Sequence, residues 1–170
     1  VYLSGNLMID TLKSFSLTKE YNDFVLLTLH RPFNVDSDKL FEILNDIDEL
    51  GDEVIFPAHP RVKSKLTNKV FKNIKVVEPM GYKEFLSNLN NCKYAITDSG
   101  GVQCEASVLN TPLITLRNST EHLDTIEHGT NVLCKDSSQI RNIKLKYSDY
   151  SPRMWDGNSA KRIVEVLKKI

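Results

Sequence analysis

The stretch AITDSGGVQCEASVLNTPLITLRNSTEH, residues 95–122, determines our prediction of the fold. An apolar run ends in an acid, a serine and two glycines, and a helix-like segment begins directly after them. A second apolar run, PLITLR, then ends in the polar cluster from Asn118 to His122. Strand, helix and strand with short connections form the unit of a parallel sheet, so this stretch predicts an α/β fold.

The same alternation continues on both sides of this stretch. The β-rich runs predict six strands, and the amphipathic segments between them predict helices. In the segment 37–50, five apolar residues fall on one helical face and Ser37 stands at the capping position. The predicted strands are 23–30, 53–59, 74–79, 94–99, 112–117 and 130–134, and the predicted helices are 4–15, 37–50, 60–71, 82–92, 100–110, 120–129, 137–150 and 158–170. We expect a three-layer α/β domain, with a parallel sheet covered by helices on both faces and right-handed crossovers.

Length and composition limit the class of protein. The 170 residues fit one domain, and 41% hydrophobic with 26% charged residues is typical of a soluble globular chain. The 22 basic residues equal the 22 acidic ones, so no basic field indicates a nucleic acid or a membrane surface as partner. No apolar run approaches the roughly 20 residues that span a bilayer. Three scattered cysteines without metal-ligand spacing favour reduced thiols, and we expect a cytoplasmic location.

Polar residues and glycines follow most of the predicted strands. The carboxyl ends of parallel strands meet at one edge of the sheet, and ligands of open α/β sheets bind there. These strand-end residues are His30 and Arg31, His59 and Pro60, Glu78 and Pro79, Asp98 to Gly101, and Arg117 to Glu121.

The segment TDSGGVQ allows two interpretations. Two glycines at a helix start leave backbone N–H groups accessible, and the helix dipole favours an anion such as a phosphate there. The alternative is an ordinary helix start with a serine cap and a tight turn. Glu105, about one turn into this helix, could accept both hydroxyls of a ribose or could be a solvated helix glutamate.

His30 and Arg31 also allow two interpretations. A histidine can act as acid, base or hydrogen-bond donor to phosphate near neutral pH, and an arginine can bind phosphate with two N–H groups. The alternative is a histidine that satisfies loop carbonyls beside an arginine in a surface ion pair. Pro32 restricts Arg31 to extended geometry, which favours a fixed loop.

Six segments resemble one known family in their order along the chain. TLHRPFN, FPAHPRV, VVEPMGYKEFL, AITDSGGVQCEA, PLITLRNSTEH and EHGTNVL occur as they do in UDP-N-acetylglucosamine 2-epimerases. The resemblance implies that residues 1–170 form a single UDP-binding Rossmann-like domain, the C-terminal half of a GT-B-type two-domain fold. It also implies an N-terminal domain elsewhere in a longer polypeptide, and it leaves a homodimer open.

The reaction implied by the resemblance inverts C2 of UDP-GlcNAc to give UDP-ManNAc. UDP is eliminated to leave a 2-acetamidoglucal and is then added back, and neither a metal nor another cofactor is implied. In the family the carboxylates that move the C2 proton come from the other domain. We therefore predict that the isolated chain binds UDP weakly and does not epimerise.

The resemblance implies roles for nine residues. They are Ser99, Gly100 and Gly101 on the diphosphate, Glu105 on the ribose, Phe85 beside the uracil, His30 in the elimination, His122 as a donor near the phosphates, and Arg31 with His59 at an effector or cleft position.

Three positions depart from the family pattern. Phe33 stands in HRPFN where many members have a glutamate, Cys104 gives QCEA instead of QEEA, and His122 replaces an arginine. These differences leave open another UDP-2-acetamido sugar, such as a 2,3-diacetamido uronic acid, or a hydrolysing enzyme. Half of a GT-B glycosyltransferase and a UDP-sugar sensor without catalysis are further alternatives.

Overall fold

The computed structural model describes residues 1–36 and 38–169 and contains a six-stranded parallel sheet. The strand order is β3-β2-β1-β4-β5-β6. The strands are β1 (Phe24–Thr28), β2 (Glu53–Pro57), β3 (Ile74–Val77), β4 (Tyr94–Thr97), β5 (Leu113–Leu116) and β6 (Asn131–Cys134). The helices are α1 (Leu7–Lys13), α2 (Pro32–Val35), α3 (Lys39–Asp48), α4 (Pro60–Lys65), α5 (Tyr82–Asn91), α6 (Gly100–Leu109), α7 (Leu123–Glu127) and α8 (Ser159–Leu167).

Two apolar clusters cover the two faces of the sheet. Successive side chains of a strand point to opposite faces, so Val25 and Leu27 belong to the larger cluster and Leu26 to the smaller one. Buried residues of α3 and α4 complete the larger cluster, while those of α5 and α6 complete the smaller one. The predicted three-layer Rossmann-like α/β fold is confirmed.

The strand order reverses at β1, which pairs with β2 on one side and β4 on the other. The chain leaves β1 and β4 in opposite directions, and this opens a crevice at their carboxyl ends. The register pairs Thr28 with Thr97, and their hydroxyl oxygens lie 2.6 Å apart. Residues 29–31 therefore lie beside residues 98–101, although they are about 70 positions apart in the sequence.

Two terminal helices are joined through one carboxylate. Asp10 of α1 accepts hydrogen bonds from the backbone N–H groups of Ser159 and Ala160, at 3.0 and 2.7 Å. These are the first amides of α8, which have no partner within their own helix. The bonds fix the start of α8 against α1. In the described part of the chain, no helix has the length and apolarity needed to cross a bilayer.

The predicted helix over 137–150 is wrong. A 3-10 helix covers Ser137–Asn142, and no regular helix follows it in the described residues up to α8. Ile143 and Leu145 both pack against the larger core cluster. That spacing has the period of an extended segment, which puts every second side chain on the same face, and it does not fit an α-helix.

Two other segments differ from the prediction, and one predicted position cannot be compared. Helix α4 ends at Lys65 rather than at residue 71, and Asn68 then takes a left-handed conformation with φ 68°. The loop predicted after Arg31 contains the four-residue helix α2, which begins at Pro32 because proline needs no N–H partner at a first helical position. The predicted cap at Ser37 lies outside the described residues.

Candidate functional site

Asp98 joins the carboxyl ends of β1 and β4. It is fully buried, and its carboxylate accepts hydrogen bonds from the backbone N–H groups of His30 at 3.1 Å and Arg31 at 3.0 Å. The buried Asn34 amide donates to it at 3.0 Å, and Nδ1 of His30 lies 2.9 Å from Oδ1. Arg31 Nε also donates to the backbone carbonyl of Asp98 at 2.8 Å. The loop after β1 is thus organised around one acidic side chain.

The contact between His30 and Asp98 changes the pKa of both groups. Burial alone would raise the pKa of Asp98, but the hydrogen bonds from His30, Arg31 and Asn34 hold it below its ordinary value. The same hydrogen bond raises the pKa of His30, against the opposing effects of burial and of the Arg31 charge. The pairing therefore favours an imidazolium beside a carboxylate. The His30 side chain is 56% exposed, so the ring can also reach a ligand.

Helix α6 begins in the crevice with a serine cap and two glycines. Ser99 Oγ accepts from the N–H of Val102 at 3.4 Å, and Gly100 and Gly101 are the first residues of the helix. A Cβ on Gly100 would lie 2.6 Å from Oε1 of Glu121, so glycine permits this close approach. The first amides of a helix lack intrahelical partners, and they carry the positive end of its dipole. This helix start is suited to an anion.

The loop after β5 places charged groups against the start of α6. Arg117, whose side chain is 14% exposed, pairs with Glu121 at 2.9 Å. The hydrogen bond from Arg117 lowers the pKa of Glu121. His122 Nε2 lies 3.7 Å from Glu121, and both ring nitrogens lie 3.6 Å from Cys104 Sγ. Two of the positions that depart from the family pattern, Cys104 and His122, are therefore in contact.

A buried network of polar side chains fixes this loop to α6. The Gln103 carbonyl oxygen accepts from Thr120 at 2.6 Å and from Asn131 at 3.2 Å, and its amide donates to the backbone of Ser99 at 3.3 Å. Asn131 in turn accepts from Thr115 at 2.7 Å. Buried polar groups with complete partners make a region rigid, so the loop has a defined position relative to the helix start.

Glu105 lies one turn further along α6 and is 4% exposed. Tyr82 at the start of α5 donates its hydroxyl to Glu105 Oε1 at 2.8 Å. Burial raises the pKa of Glu105, and the bond from Tyr82 offsets only part of that effect. The Tyr82 ring is held edge-on by Phe15, with ring centroids 5.9 Å apart. Glu105 is thus a buried acid rather than a solvated helix glutamate.

His59 lies on the β2 side of the crevice. Its Nδ1 accepts from the backbone N–H of Arg61 at 3.3 Å and caps α4. His30, His59, Arg61 and Val62 line a cavity of about 270 Å³. Arg31 is the N-cap residue of α2 and binds the Asp98 backbone. The structure therefore brings His30 and His59 to one cavity.

The three cysteines are buried thiols. Burial raises the pKa of Cys92 and of Cys104 to about 12, and it also raises the pKa of Cys134. A thiol is a weak nucleophile compared with its thiolate, so none of the three is suited to covalent catalysis. Among the residues that the structure describes, no three His, Cys, Asp or Glu side chains are grouped so as to hold a metal ion.

A family comparison decides where this arrangement belongs. The family model described as UDP-N-acetylglucosamine 2-epimerase matches residues 1–168. The chain belongs to this family.

Curated and solved epimerases are similar to nearly the whole chain. A UDP-N-acetylglucosamine 2-epimerase homolog of Methanococcus maripaludis is 35% identical over 196 residues, covering 100% of this chain and 55% of the relative. A UDP-2,3-diacetamido-2,3-dideoxy-D-glucuronate 2-epimerase of Pseudomonas aeruginosa is 32% identical over 86% of this chain and 45% of its own length. The crystal structure of Methanocaldococcus jannaschii UDP-GlcNAc 2-epimerase in complex with UDP-GlcNAc and UDP has a TM-score of 0.76 and 33% identity, covering 99% of this chain and 55% of that one. The chain spans about half the length of the relatives that it matches.

Most of the positions predicted from the epimerase resemblance lie at one edge of the sheet. The crevice between β1 and β4 collects His30, Arg31, Ser99, Gly100 and Gly101 after the two strands. His122 approaches Gly100 from the loop after β5, and His59 approaches His30 from the loop after β2. Glu105 lies further along α6.

Phe85 is placed differently from the other predicted positions. It is half-buried on α5 and packs against the smaller core cluster. Its neighbour on the same helix, Tyr82, is the residue that reaches Glu105.

Three residues of this epimerase-family domain were not assigned a role from the sequence. For Asp98 the sequence indicates only a place after β4, although an acid between an apolar strand and a serine cap could predict a role. For Arg117 it indicates only the end of a strand. Tyr82 gave no signal, because its contact with Glu105 depends on how α5 packs beside α6.

Proposed function

We propose that this chain is the UDP-binding half of a UDP-N-acetylglucosamine 2-epimerase. The observation that carries the proposal is the crevice at the strand ends, where a glycine helix start, a paired histidine and a buried glutamate follow one another. In the proposed arrangement residues 1–170 form one domain of a GT-B-type fold, and an N-terminal domain of the same polypeptide closes the crevice.

Each part of the crevice has a proposed binding role. Ser99, Gly100 and Gly101 bind the diphosphate through the amides at the start of α6, because that end of the helix favours negative charge. Glu105 accepts the ribose hydroxyls, and Phe85 with the start of α5 lies beside the uracil. His122 donates to the diphosphate from the loop after β5. His59 and Arg31 lie at the cleft, where a second UDP-sugar would act as an effector.

The proposed reaction inverts C2 by elimination and addition. A base from the N-terminal domain removes the C2 proton, and the C2–H electron pair forms the C1=C2 bond of a 2-acetamidoglucal. The C1–O bond breaks, and its electron pair leaves on UDP. His30, charged through its pairing with Asp98, donates a hydrogen bond to the leaving diphosphate. Return of a proton to the opposite face of C2 and re-addition of UDP give UDP-ManNAc.

UDP binding tests the site. Titration calorimetry of the 170-residue chain should show weak UDP binding, and Glu105→Ala should reduce the affinity by a factor of about 10 to 100, since hydrogen bonds to a charged group contribute roughly 1.5–3 kcal/mol. Glu165→Ala on the exposed face of α8 is the matched control and should bind UDP as the parent does. Equal affinity of the Glu105→Ala variant would exclude the ribose assignment.

Product analysis tests the reaction. The polypeptide that contains this chain, incubated with UDP-GlcNAc and no acceptor, should form UDP-ManNAc, whereas a glycosyltransferase would need an acceptor. His30→Ala should lower kcat by about 10²- to 10⁴-fold, the size typical of lost acid–base assistance, and leave UDP binding largely intact. Turnover by the isolated 170 residues would contradict the proposed division between two domains, and a protein without turnover in any form would be a UDP-sugar sensor.

A second substrate is favoured by one comparison. The Pseudomonas aeruginosa relative is named for a UDP-2,3-diacetamido sugar acid and covers 86% of this chain. The departures at Cys104 and His122 lie together beside Gly100 rather than scattered over the surface. Parallel assays with UDP-GlcNAc and with the 2,3-diacetamido uronate distinguish the two substrates by the larger kcat/KM. Release of free UDP with either sugar would identify a hydrolysing enzyme.

A further inference from the structure

The buried carboxylate of Asp98 has more hydrogen-bond donors than the stability of the fold requires. Two backbone amides and the Asn34 side chain already donate to it, and all three donors belong to the loop after β1. The fourth partner, the His30 ring, is more than half exposed and could turn toward solvent. A pair with one exposed member adds little to folding stability. The orientation of this ring therefore needs an explanation other than the stability of the fold.

The contact determines which ring nitrogen carries the hydrogen. An ionised carboxylate only accepts hydrogen bonds, so Nδ1 of His30, 2.9 Å from Oδ1, carries a proton in both the neutral and the charged ring. Nε2 is then the nitrogen that gains or loses a proton. The backbone N–H of His30 also binds Asp98, so Asp98 holds this residue both at its backbone and at its ring.

We propose that Asp98 is the positioning residue for His30, holding the Nδ1–H tautomer and presenting Nε2 to the diphosphate of a UDP-sugar at the start of α6. This inference rests on the proposed function, in which His30 assists the departure of UDP. When the C1–O bond breaks, its electron pair stays on the diphosphate oxygen, and the Nε2–H of the imidazolium donates a hydrogen bond to that oxygen. A neutral ring with the other tautomer would turn the Nδ1 lone pair toward the Asp98 carboxylate, which can only accept hydrogen bonds, so it would lose the contact that holds the ring and stabilises its positive charge.

Asp98 is the group that stabilises the positive charge of the His30 ring, because the other charged groups around it are basic. Arg31 opposes protonation of the ring, and Arg61 and His59 line the same cavity from the β2 side. Asp36 pairs with Arg61 at 3.5 Å and with Lys65 at 3.0 Å. Among the residues that the structure describes, Asp98 is the acid in contact with the His30 ring.

Nitrogen-detected NMR of the histidine rings tests the tautomer without any substitution. The chain labelled with ¹⁵N should show His30 as the Nδ1–H tautomer at high pH and should show it titrating above the ordinary histidine pKa of about 6.5. The Nε2–H tautomer would overturn the proposal, whether or not any variant folds. His30→Gln assigns the resonances, and His128, which contacts Tyr150 outside the crevice, is the internal reference.

Asp98→Asn tests the role in the reaction. We expect the His30 pKa to fall, the tautomer preference to be lost, and kcat of the complete polypeptide to drop about a hundredfold with KM little changed, the size typical of lost acid–base assistance. In a His30→Gln background the same substitution should cost no further kcat, whereas a merely structural role would reduce both backgrounds alike. Equal kcat in Asp98→Asn and parent, or equal losses in both backgrounds, would overturn the proposal.

A failure of the proposed function can be distinguished from a failure of the proposed role of Asp98. If the complete polypeptide does not epimerise any UDP-sugar, the proposed function fails while the tautomer of His30 is still measured. If it epimerises and Asp98→Asn leaves both the titration and kcat unchanged, only the role of Asp98 fails.

Discussion

Two buried acids near the start of α6 have opposite protonation behaviour. Asp98, at the end of β4, has its pKa lowered, whereas Glu105, in the second turn of α6, has its pKa raised. Both side chains are almost removed from solvent. The difference lies in the donors, since four groups donate to Asp98 and the Tyr82 hydroxyl to Glu105. Burial raises the pKa of both acids, and the number of hydrogen bonds decides the outcome.

The protein fills the hydrogen-bond acceptor positions of Asp98 but leaves most of those of Glu105 for other donors. Asp98 has its acceptor capacity filled by the protein itself, so the turn between β4 and α6 is complete without a ligand. A carboxylate has about four acceptor positions, and Glu105 fills few of them from the protein. Donors from a ligand, such as the two hydroxyls of a ribose, would supply what Glu105 lacks. Three substitutions test this difference.

Asp98→Ala should be strongly destabilising, because it leaves two amides and the Asn34 side chain without their acceptor. Each buried donor left unpaired costs roughly 1–3 kcal/mol, so we expect a loss of about 3 kcal/mol or more in urea unfolding at pH 7. The lowered pKa means that this contribution is present above the unfolded Asp value of about 3.9 and is lost as pH falls through the folded value. Asp36→Ala, a half-exposed acid, is the control, and equal losses in the two variants would contradict the comparison.

Glu105→Gln should stabilise the ligand-free fold at neutral pH and weaken UDP binding. The glutamine keeps an acceptor for Tyr82 and removes the cost of a buried charge. Because folding raises the Glu105 pKa above the unfolded value of about 4.3, the parent loses stability as pH rises through the folded pKa, and the variant does not. The melting temperature should therefore rise at pH 7, by about 2–4 °C for each kcal/mol gained, and match the parent near pH 4.

The controls for Glu105→Gln measure both the melting temperature and the UDP affinity. Glu165→Gln on α8 should change neither the melting temperature nor the UDP affinity. A Glu105→Gln variant that melts below the parent at pH 7 would show that the buried charge is satisfied after all. Glu105 would then resemble Asp98 in having its hydrogen-bond acceptor positions filled by the protein.

Tyr82→Phe should have the smallest effect, because it removes one hydrogen bond and keeps the ring beside Phe15. We expect a loss of about 0.5–1.5 kcal/mol in urea unfolding at pH 7. The loss should disappear when Glu105→Ala is already present, since the bond then has no acceptor. Equal losses in the two backgrounds would show that Tyr82 contributes through packing alone.

The sequence predicted the strands and the layers of this fold correctly, but it did not predict which side chains contact each other or the structure of the segment 137–150. The six strands were predictable because buried parallel strands are apolar along their whole length, and β1 with its FVLLT core is an example. The segment 137–150 was predicted wrongly because Ile140 and Ile143 have helical spacing, whereas Ile143 and Leu145 do not. Whether such a segment coils or extends depends on the surface beneath it, here the larger core cluster.

The candidate site was predictable only as a set of strand ends. Ser99, Gly100 and Glu105 belong to one continuous segment, so their order along α6 follows from the sequence. The partnership of Asp98 with His30 depends on the register between β1 and β4, which joins residues 68 positions apart. The Cys104 contact with His122 likewise depends on how the loop after β5 folds back on α6. Pairings of this kind need the structure.

The burial of all three thiols has a practical consequence for following ligand binding. With Cys92, Cys104 and Cys134 all buried, maleimide dyes have no accessible native target in the folded chain. A single cysteine introduced at an exposed position, such as Glu84 on α5, would take up one fluorophore without prior removal of the native residues. A change in its emission on addition of UDP would test the proposed position of the uracil beside the start of α5.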